Sequence, residues 1–185
     1  MSPFQAIPVL PMEGGNNMSK QSSGLFFGTI GSLKKRIIPG DEGIVTGGSS
    51  TALGRSILKS MGIRKKMKWN GYQAQHIIPK ELASHPVLTK IGIHLDHYSN
   101  GIFLRSPSDS VSTLSRHRGY HAPYNEFVRY KLNNMDINDS TYRLQQEVYK
   151  LQNNLRKLQM SGVAIYPKYG ATFESISRAY DRISR

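Results

Sequence analysis

Apolar positions after residue 49 recur mostly at helical spacing. This spacing predicts helices within residues 50–62, 84–92 and 117–132. A more regular stripe follows, in which apolar residues step by four and three from Leu144 to Leu158. Little more than two heptads is short for an isolated coiled coil, so we expect this helix to dock on the domain's own core rather than form an oligomerisation zipper.

Shorter stretches between these helices have the character of strands. The segment YQAQHII predicts a strand with His76 near its end, and β-prone residues flank the turn signal Asn100-Gly101. Residues 163–170 predict a further strand and turn, and Thr172 marks the start of a last helix. This mixture of helices and short strands predicts an α+β domain.

The beginning of the chain has a different composition. Residues 1–50 hold nine of the 17 glycines and four of the nine prolines. Such a segment cannot offset its ordering entropy by burial, so residues 1–49 are interpreted as a flexible N-terminal segment and residues 50–185 as the folded domain. Within the first segment, GLFFGTIGSL (residues 24–33) is too short to cross a bilayer, and a packed strand or hook is the preferred interpretation.

Charge narrows the class of partner. Lys and Arg outnumber Asp and Glu by 25 to 12, which gives a net charge of +13 and favours nucleic acid over acidic partners. One cationic run before the His76 strand is interpreted as a phosphate track, formed by Arg64, Lys65, Lys66 and Lys68.

Several classes of protein and site are excluded by composition. The chain has no cysteine, which excludes disulfides, thiolate zinc sites and a cysteine nucleophile. It has no run of 18 apolar residues, so we expect no membrane insertion. Its start lacks the basic and apolar regions of a secretory signal, so any export is expected to follow another route.

Six histidines between residues 76 and 121 are the candidate chemistry. His117 and His121 are four residues apart and share a face if both lie on one helix, which suits one divalent ion, although spacing alone equally allows a structural pair. Phosphodiester hydrolysis needs a base, a group that orients the base and a cation. His76 suits the role of the base. Asn100 could orient it through a hydrogen bond between its side-chain amide and the other ring nitrogen. The candidate phosphate contacts near this cluster are Arg105, Arg116 and Arg118.

The segments QAQHIIPKEL, HPVLTKIGI, NGIFL and HRGYHAPYNEFV resemble the AHH nucleases of the HNH/endonuclease VII superfamily, over roughly residues 50–160. The resemblance implies a ββα-metal core, a treble-clef-like hairpin plus helix around one metal ion, here with surrounding helices. It makes His76 the general base and Asn100 the residue that orients it, with His117 and His121 on the metal side. It also places Tyr124 and Asn125 behind the ligands, or Asn125 among them.

Gln75 departs from the resemblance, since the AHH nucleases have a metal-binding histidine at that place. A glutamine oxygen suits Mg²⁺ or Mn²⁺ better than zinc or nickel, so a single Mg²⁺ or Mn²⁺ ion is the expected cofactor. Three interpretations stay open: an active variant, which is favoured, a substitution that disables the enzyme, and a domain that only binds nucleic acid.

The resemblance further implies a bacterial toxin or effector with an acidic immunity protein and a secretion-system carrier as partners. Such a protein would be made in the bacterial cytoplasm, leave without a Sec signal and act in the cytoplasm of a target cell. We expect an endonuclease with little sequence preference, because no recognition helix is evident. DNA is favoured over RNA as its substrate. The rivals are a nucleic-acid-binding protein with a structural zinc and an interaction protein that uses the Leu144–Leu158 stripe.

Overall fold

The computed structural model describes residues 36–63, 68–105 and 121–185. Its helices are α1 (Ser50–Ser60), α2 (Pro86–Ile91), α3 (Ala122–Asn133), α4 (Thr141–Met160) and α5 (Phe173–Ser184). Its strands are β1 (Val45–Thr46), β2 (Tyr72–His76), β3 (Ile93–His94) and β4 (Gly101–Arg105). Single 3-10 turns occupy Lys80–Leu82, Tyr98–Asn100 and Pro167–Tyr169.

The helix boundaries follow from local capping. Ser49 accepts a hydrogen bond from the backbone N–H of Ala52 and caps the start of α1. His85 caps α2 in the same way, and Thr172 and Ser175 form a reciprocal capping box at the start of α5. Gly92 ends α2 with φ of 66°, and an added Cβ there would lie 1.7 Å from the carbonyl oxygen of Asp41, so only glycine fits.

Two small sheets carry the residues of interest. β2 pairs antiparallel with β4, with His76 opposite Gly101, and β1 pairs in parallel with β3. α1 packs closely against the β2–β4 pair. Gly101 leaves the room for this packing, since a Cβ at that position would lie 2.6 Å from the Leu53 side chain. The Asn100-Gly101 turn signal does not form a hairpin loop, since Asn100 ends a 3-10 turn and Gly101 begins β4.

Helices α2 to α5 supply most of the core. The prediction that α4 docks on the domain's own core is confirmed. The members of its apolar stripe are at most 3% exposed: Leu144, Val148, Leu151, Leu155 and Leu158. They belong to the cluster that also buries side chains of α2, α3 and α5. The stripe is therefore used inside the domain, which removes the basis for an interaction protein built on it. Residues 163–170 were predicted to form a strand and a turn; the structure has a turn there, a 3-10 turn at Pro167–Tyr169, but no strand.

The domain begins earlier than the expected boundary at residue 50. Residues 36–49 belong to the same compact unit as the rest, residues 36–185. Ile38 is 1% exposed and β1 pairs with β3, so the interpretation of residues 36–49 as a flexible segment is wrong. Residues 1–35, including the predicted strand or hook at 24–33, lie outside the described residues. Among the helices that the structure describes, none combines the length and apolar character needed to cross a bilayer.

Candidate active site

The end of β2 brings two polar side chains into the protein interior. Gln75 is 2% exposed and His76 is 5% exposed. Neighbouring residues of a strand point to opposite faces, so the two side chains meet different parts of the fold. Each meets a polar partner, as buried polar groups in proteins generally do.

His76 is bound to a carboxylate that the sequence analysis did not single out. Its Nε2 lies 2.8 Å from Oδ1 of Asp96, in the turn that follows β3. The ring donates from Nε2 in this pair, because an ionised carboxylate only accepts hydrogen bonds. Nδ1 of His76 makes no hydrogen bond to the described residues, so it is the ring nitrogen left for chemistry.

The loop before α1 holds Asp96 in its ionised form. The backbone N–H groups of Gly48 and Ser49 donate to Asp96 at 2.8 and 2.9 Å. Burial alone raises the pKa of Asp96, but the hydrogen bonds from His76, Gly48 and Ser49 outweigh it and hold the pKa below its ordinary value. The loop must run close to the carboxylate, since a Cβ on Gly47, at φ of +86°, would lie 2.9 Å from Asp96 Cγ.

Asn100 does not bond to the ring of His76, so the predicted amide contact is wrong. Its Oδ1 accepts from the N–H of Ile78 at 2.8 Å and from Gln152 Nε2 at 3.0 Å. Its Nδ2 donates to the carbonyl oxygens of Ile78 and Leu95. The side chain is fully engaged in joining β4 to the segment after His76, and it acts on the base only through the main chain.

Gln75 reaches the start of α3. Its Nε2 lies 2.7 Å from Nε2 of His121, the residue before the first turn of that helix, and donates also to the carbonyl oxygen of His76 at 3.1 Å. Tyr166, from the loop after α4, stacks on the His121 ring with centroids 5.2 Å apart. Two residues expected on the metal side therefore meet in the fold.

The electrostatics around His121 favour the neutral imidazole. Burial lowers the pKa of His121, the carboxylate of Glu81 opposes this shift, and the charge of His76 adds to it. Neutral imidazole is the form that binds metal ions.

The buried side-chain amide of Asn125 makes no hydrogen bond to the residues that the structure describes. It is 5% exposed, and both Oδ1 and Nδ2 are buried without a hydrogen-bond partner in the part of the chain that the structure describes. Its N–H donates to the carbonyl of His121 one turn earlier, so the two side chains share a face of α3. A buried amide in this state costs about 1–3 kcal/mol unless a ligand satisfies it.

These donors fit an oxygen-preferring divalent cation. Asn125 has an amide oxygen and His121 an imidazole nitrogen, donor types that hard ions accept, whereas Gln75 turns its amide nitrogen toward His121 in this structure. No group of three or more His, Asp or Glu suited to a metal occurs among residues 36–63, 68–105 and 121–185. His117, the other predicted ligand, lies outside those ranges, as do Arg64, Lys65, Lys66, Arg116 and Arg118.

The described basic candidates differ in their surroundings. Lys68 is exposed just before β2. Arg105, at the far end of β4, donates from Nε to the hydroxyl of Tyr72 at 3.1 Å and stacks its guanidinium over that ring. Tyr124 is fully buried and donates to the carbonyl oxygen of Ile77 at 2.7 Å, which places it behind the site.

Asp96 is the residue that sequence reasoning missed. It lies between His94 and His97, and both histidines make local hydrogen bonds in the structure. One signal was available, because Asp96 is the only acidic residue between positions 83 and 107 of a strongly basic chain.

An α+β domain with a buried His–Asp pair beside a set of metal-compatible donors defines a candidate hydrolase site. Comparison with known families gives the class. The model of the AHH family, a nuclease family of the HNH/ENDO VII superfamily with conserved AHH, matches residues 57–159, more than half of the chain. The chain belongs to this family, and nucleases of the superfamily generally use a divalent metal. No curated protein and no solved structure matches the chain.

Proposed function

We propose that this chain is a metal-dependent endonuclease that cleaves nucleic acid, DNA in preference to RNA, with little sequence preference. The observation that carries the proposal is the adjacency of two contacts at the end of β2. His76 binds Asp96, and its neighbour Gln75 meets His121. The candidate base and one candidate ligand are thus consecutive residues, in a chain of a nuclease family.

The proposed core is the ββα-metal arrangement. β2 and β4 supply the hairpin-like pair, and α3 supplies the helix whose start meets Gln75. In this core the AHH triplet corresponds to Ala74, Gln75 and His76, so Gln75 takes the place of the first histidine.

His76 acts as the general base in this proposal. Asp96 accepts the hydrogen of Nε2, which leaves Nδ1 to take a proton from the attacking water. The carboxylate fixes the ring tautomer and stabilises the imidazolium that forms. Asn100 acts indirectly by holding the main chain after His76.

Gln75, His121 and Asn125 would hold the cation, with His117 as a further candidate. A bound Mg²⁺ or Mn²⁺ would neutralise negative charge on the phosphoryl group and the leaving oxygen. The orphaned amide of Asn125 and the neutral state of His121 support this ligand set. Zn²⁺ and Ni²⁺ are disfavoured because two of the three donors are amides.

A second function follows from one contact. Gln75 presents its amide nitrogen, not its oxygen, to His121, since that nitrogen also donates to the His76 carbonyl. A glutamine that keeps this bond blocks the imidazole nitrogen, and the chain would then bind nucleic acid without cutting it.

We propose the biological setting from the resemblance and the charge. The net charge of +13 suits both nucleic acid and an acidic immunity protein that covers the basic face. The same proposal makes the chain a bacterial toxin or effector delivered by a secretion-system carrier, synthesised in one cytoplasm and active in another.

Plasmid and RNA cleavage with Mg²⁺, Mn²⁺, Zn²⁺ or EDTA tests the proposal, with His76→Ala and Gln75→His in parallel. Cleavage that needs Mg²⁺ or Mn²⁺ and is lost in His76→Ala is the expected result. Cleavage only by Gln75→His would favour the disabled enzyme, and no cleavage by any variant would overturn the nuclease proposal.

A further inference from the structure

Three glutamines of α4 are buried at a regular interval that the leucine stripe does not explain. Gln145, Gln152 and Gln159 are seven residues apart and are 4%, 3% and 0% exposed. Seven residues make close to two helical turns, so the three side chains leave α4 from one face. Two of them reach the segment after His76 through one intermediate residue each, and the third binds residues 37 and 38.

Gln152 is bound to the segment that follows His76. It donates to Asn100 Oδ1, which also accepts from the N–H of Ile78. Because Oδ1 accepts from a backbone N–H, the atom of Gln152 that faces it must be the amide nitrogen. Asn100 Nδ2 returns a bond to the carbonyl of Ile78, so both polar groups of that residue are clamped.

Gln159 is bound to the same segment through Tyr124. The hydroxyl of Tyr124 donates to the carbonyl oxygen of Ile77 at 2.7 Å, and Gln159 Nε2 donates to the hydroxyl oxygen at 2.6 Å. Burial raises the pKa of Tyr124, so the phenol keeps the proton that it gives to Ile77. Ile77 and Ile78, directly after the base, are thus both held from α4.

Arg156, between these two glutamines, contacts the opposite strand. Its guanidinium donates to the carbonyl oxygens of Ser99 and Gly101 at 2.6 and 2.7 Å. Gly101 pairs with His76 across the sheet. One face of α4 therefore holds the main chain directly after His76 and the main chain that lies opposite His76 in the sheet.

Gln145 has the same chemistry and burial but a different target. Its Oε1 accepts from the backbone N–H groups of Ile37 and Ile38, at 3.0 and 3.2 Å. Those residues carry none of the candidate site groups. Gln145 is therefore a matched control on the same helix face.

We propose that Gln152 and Gln159 are positioning residues of the active site, which set the placement of the His76 ring through residues 77 and 78. The proposal rests on the proposed function of His76 as the base. It adds a role for α4, which lies outside the β2–β4 pair and α3. Small displacements of a catalytic group lower the rate of the chemical step more than they lower substrate binding.

The test uses Gln→Met at the three positions in the full chain. Methionine is close to glutamine in size and helix propensity, so each variant removes hydrogen bonds with little change in packing. Gln145→Met leaves two buried N–H groups without an acceptor, whereas Gln152→Met leaves Asn100 Oδ1 still bonded to Ile78. Stability alone would therefore rank Gln145→Met as the most damaged variant.

Positioning predicts the opposite ranking for activity. We expect Gln152→Met and Gln159→Met to lower kcat of nucleic-acid cleavage about tenfold or more, with KM little changed. Gln145→Met should keep the kcat of the parent protein at temperatures well below its midpoint of unfolding. Equal losses in all three variants, or unchanged kcat in Gln152→Met and Gln159→Met, would overturn the proposal.

A spectroscopic readout separates this proposal from the nuclease proposal. Imidazole NMR resonances of His76 should shift in Gln152→Met and Gln159→Met and stay in place in Gln145→Met. If neither the parent nor Gln75→His cleaves any nucleic acid, the nuclease proposal fails and these resonances decide the positioning alone. Unmoved His76 resonances in both variants would then reject it.

Discussion

Two buried asparagines on either side of the candidate site differ in their bonding. Asn100, directly before β4, is 1% exposed and uses both ends of its amide in four hydrogen bonds. Asn125, on α3, is 5% exposed and has no partner at either end within the described chain. Burial removes both amides from water, and among the described residues only Asn100 finds hydrogen bonds that offset this cost.

The difference separates an amide that the fold satisfies from one that the described residues leave unsatisfied. A buried amide with all its bonds satisfied stabilises one backbone arrangement. A buried amide with none lowers stability and calls for an explanation, such as an ion that binds there. Asn100 therefore holds the fold together, and under the proposed function the bound cation satisfies Asn125.

His76 has one ring nitrogen that is hydrogen-bonded and one that is not bonded to the described residues. Its replacement should have the largest effect on the rate of cleavage. Its Nε2 is tied to Asp96, and its Nδ1 makes no bond to the described residues. We expect His76→Ala to lower the rate of nucleic-acid cleavage about 10²–10⁴-fold, the usual contribution of a general base. Initial rates on plasmid DNA measure this, and a folded variant that cleaves at the parent rate would show that the base is another residue.

Asn100→Ala should have the largest effect on stability. It removes four hydrogen bonds and leaves the N–H of Ile78 and the amide of Gln152 buried without partners. A loss of about 3 kcal/mol or more in the free energy of unfolding is expected. Urea denaturation measures it, and a loss comparable to that of an exposed control, Asn138→Ala, would contradict the scaffold role.

Asn125→Leu should have a small effect on stability and a large one on the metal. Replacing an amide that has no partner leaves the free energy of unfolding unchanged or raises it by about 1 kcal/mol. We expect metal affinity to fall about 10–100-fold, measured as the loss of stabilisation by Mn²⁺ in thermal unfolding. A variant that is strongly destabilised and still stabilised by Mn²⁺ would place Asn125 with Asn100, on the scaffold side.

The smallest expected effect is a change in how the free energy of unfolding falls at acidic pH. The pKa of Asp96 is lower in the folded protein than its ordinary value of 3.8, so its contribution is fully present above that value and is lost as pH falls toward the folded pKa. We expect Asp96→Asn to flatten the fall in stability below about pH 4 relative to the parent. Urea unfolding from pH 2 to 7 tests this, with the exposed Glu126→Gln as control. Parallel acid limbs for Asp96→Asn and the parent would contradict the assigned role of its hydrogen bonds.

Local patterns predicted the helices well because capping and periodicity are local properties. The predictions of the apolar stripe of α4 and of a helix within residues 84–92, which is α2, are confirmed. The predicted strand in residues 163–170 was wrong. Ile165 and Tyr166 are buried, but they lie in a loop and pair with no other strand. Residues 36–49 were misread because their glycines suggested freedom, whereas Gly40 and Gly47 permit close approach to β3 and Asp96.

Residue order alone is enough to indicate the family, the candidate base His76, the helix that follows His121 and carries Asn125, and a basic character suited to nucleic acid. All of these depend on residue types in a fixed order. Which polar groups bond to one another emerges only when the chain is folded: Asp96 rather than Asn100 bonds to the ring of His76, and Gln75 lies against His121. The tertiary structure also places the glutamines of α4 behind the base. These contacts join residues 20 to 52 positions apart, and no local propensity reports which buried polar groups will satisfy one another once the chain is compact.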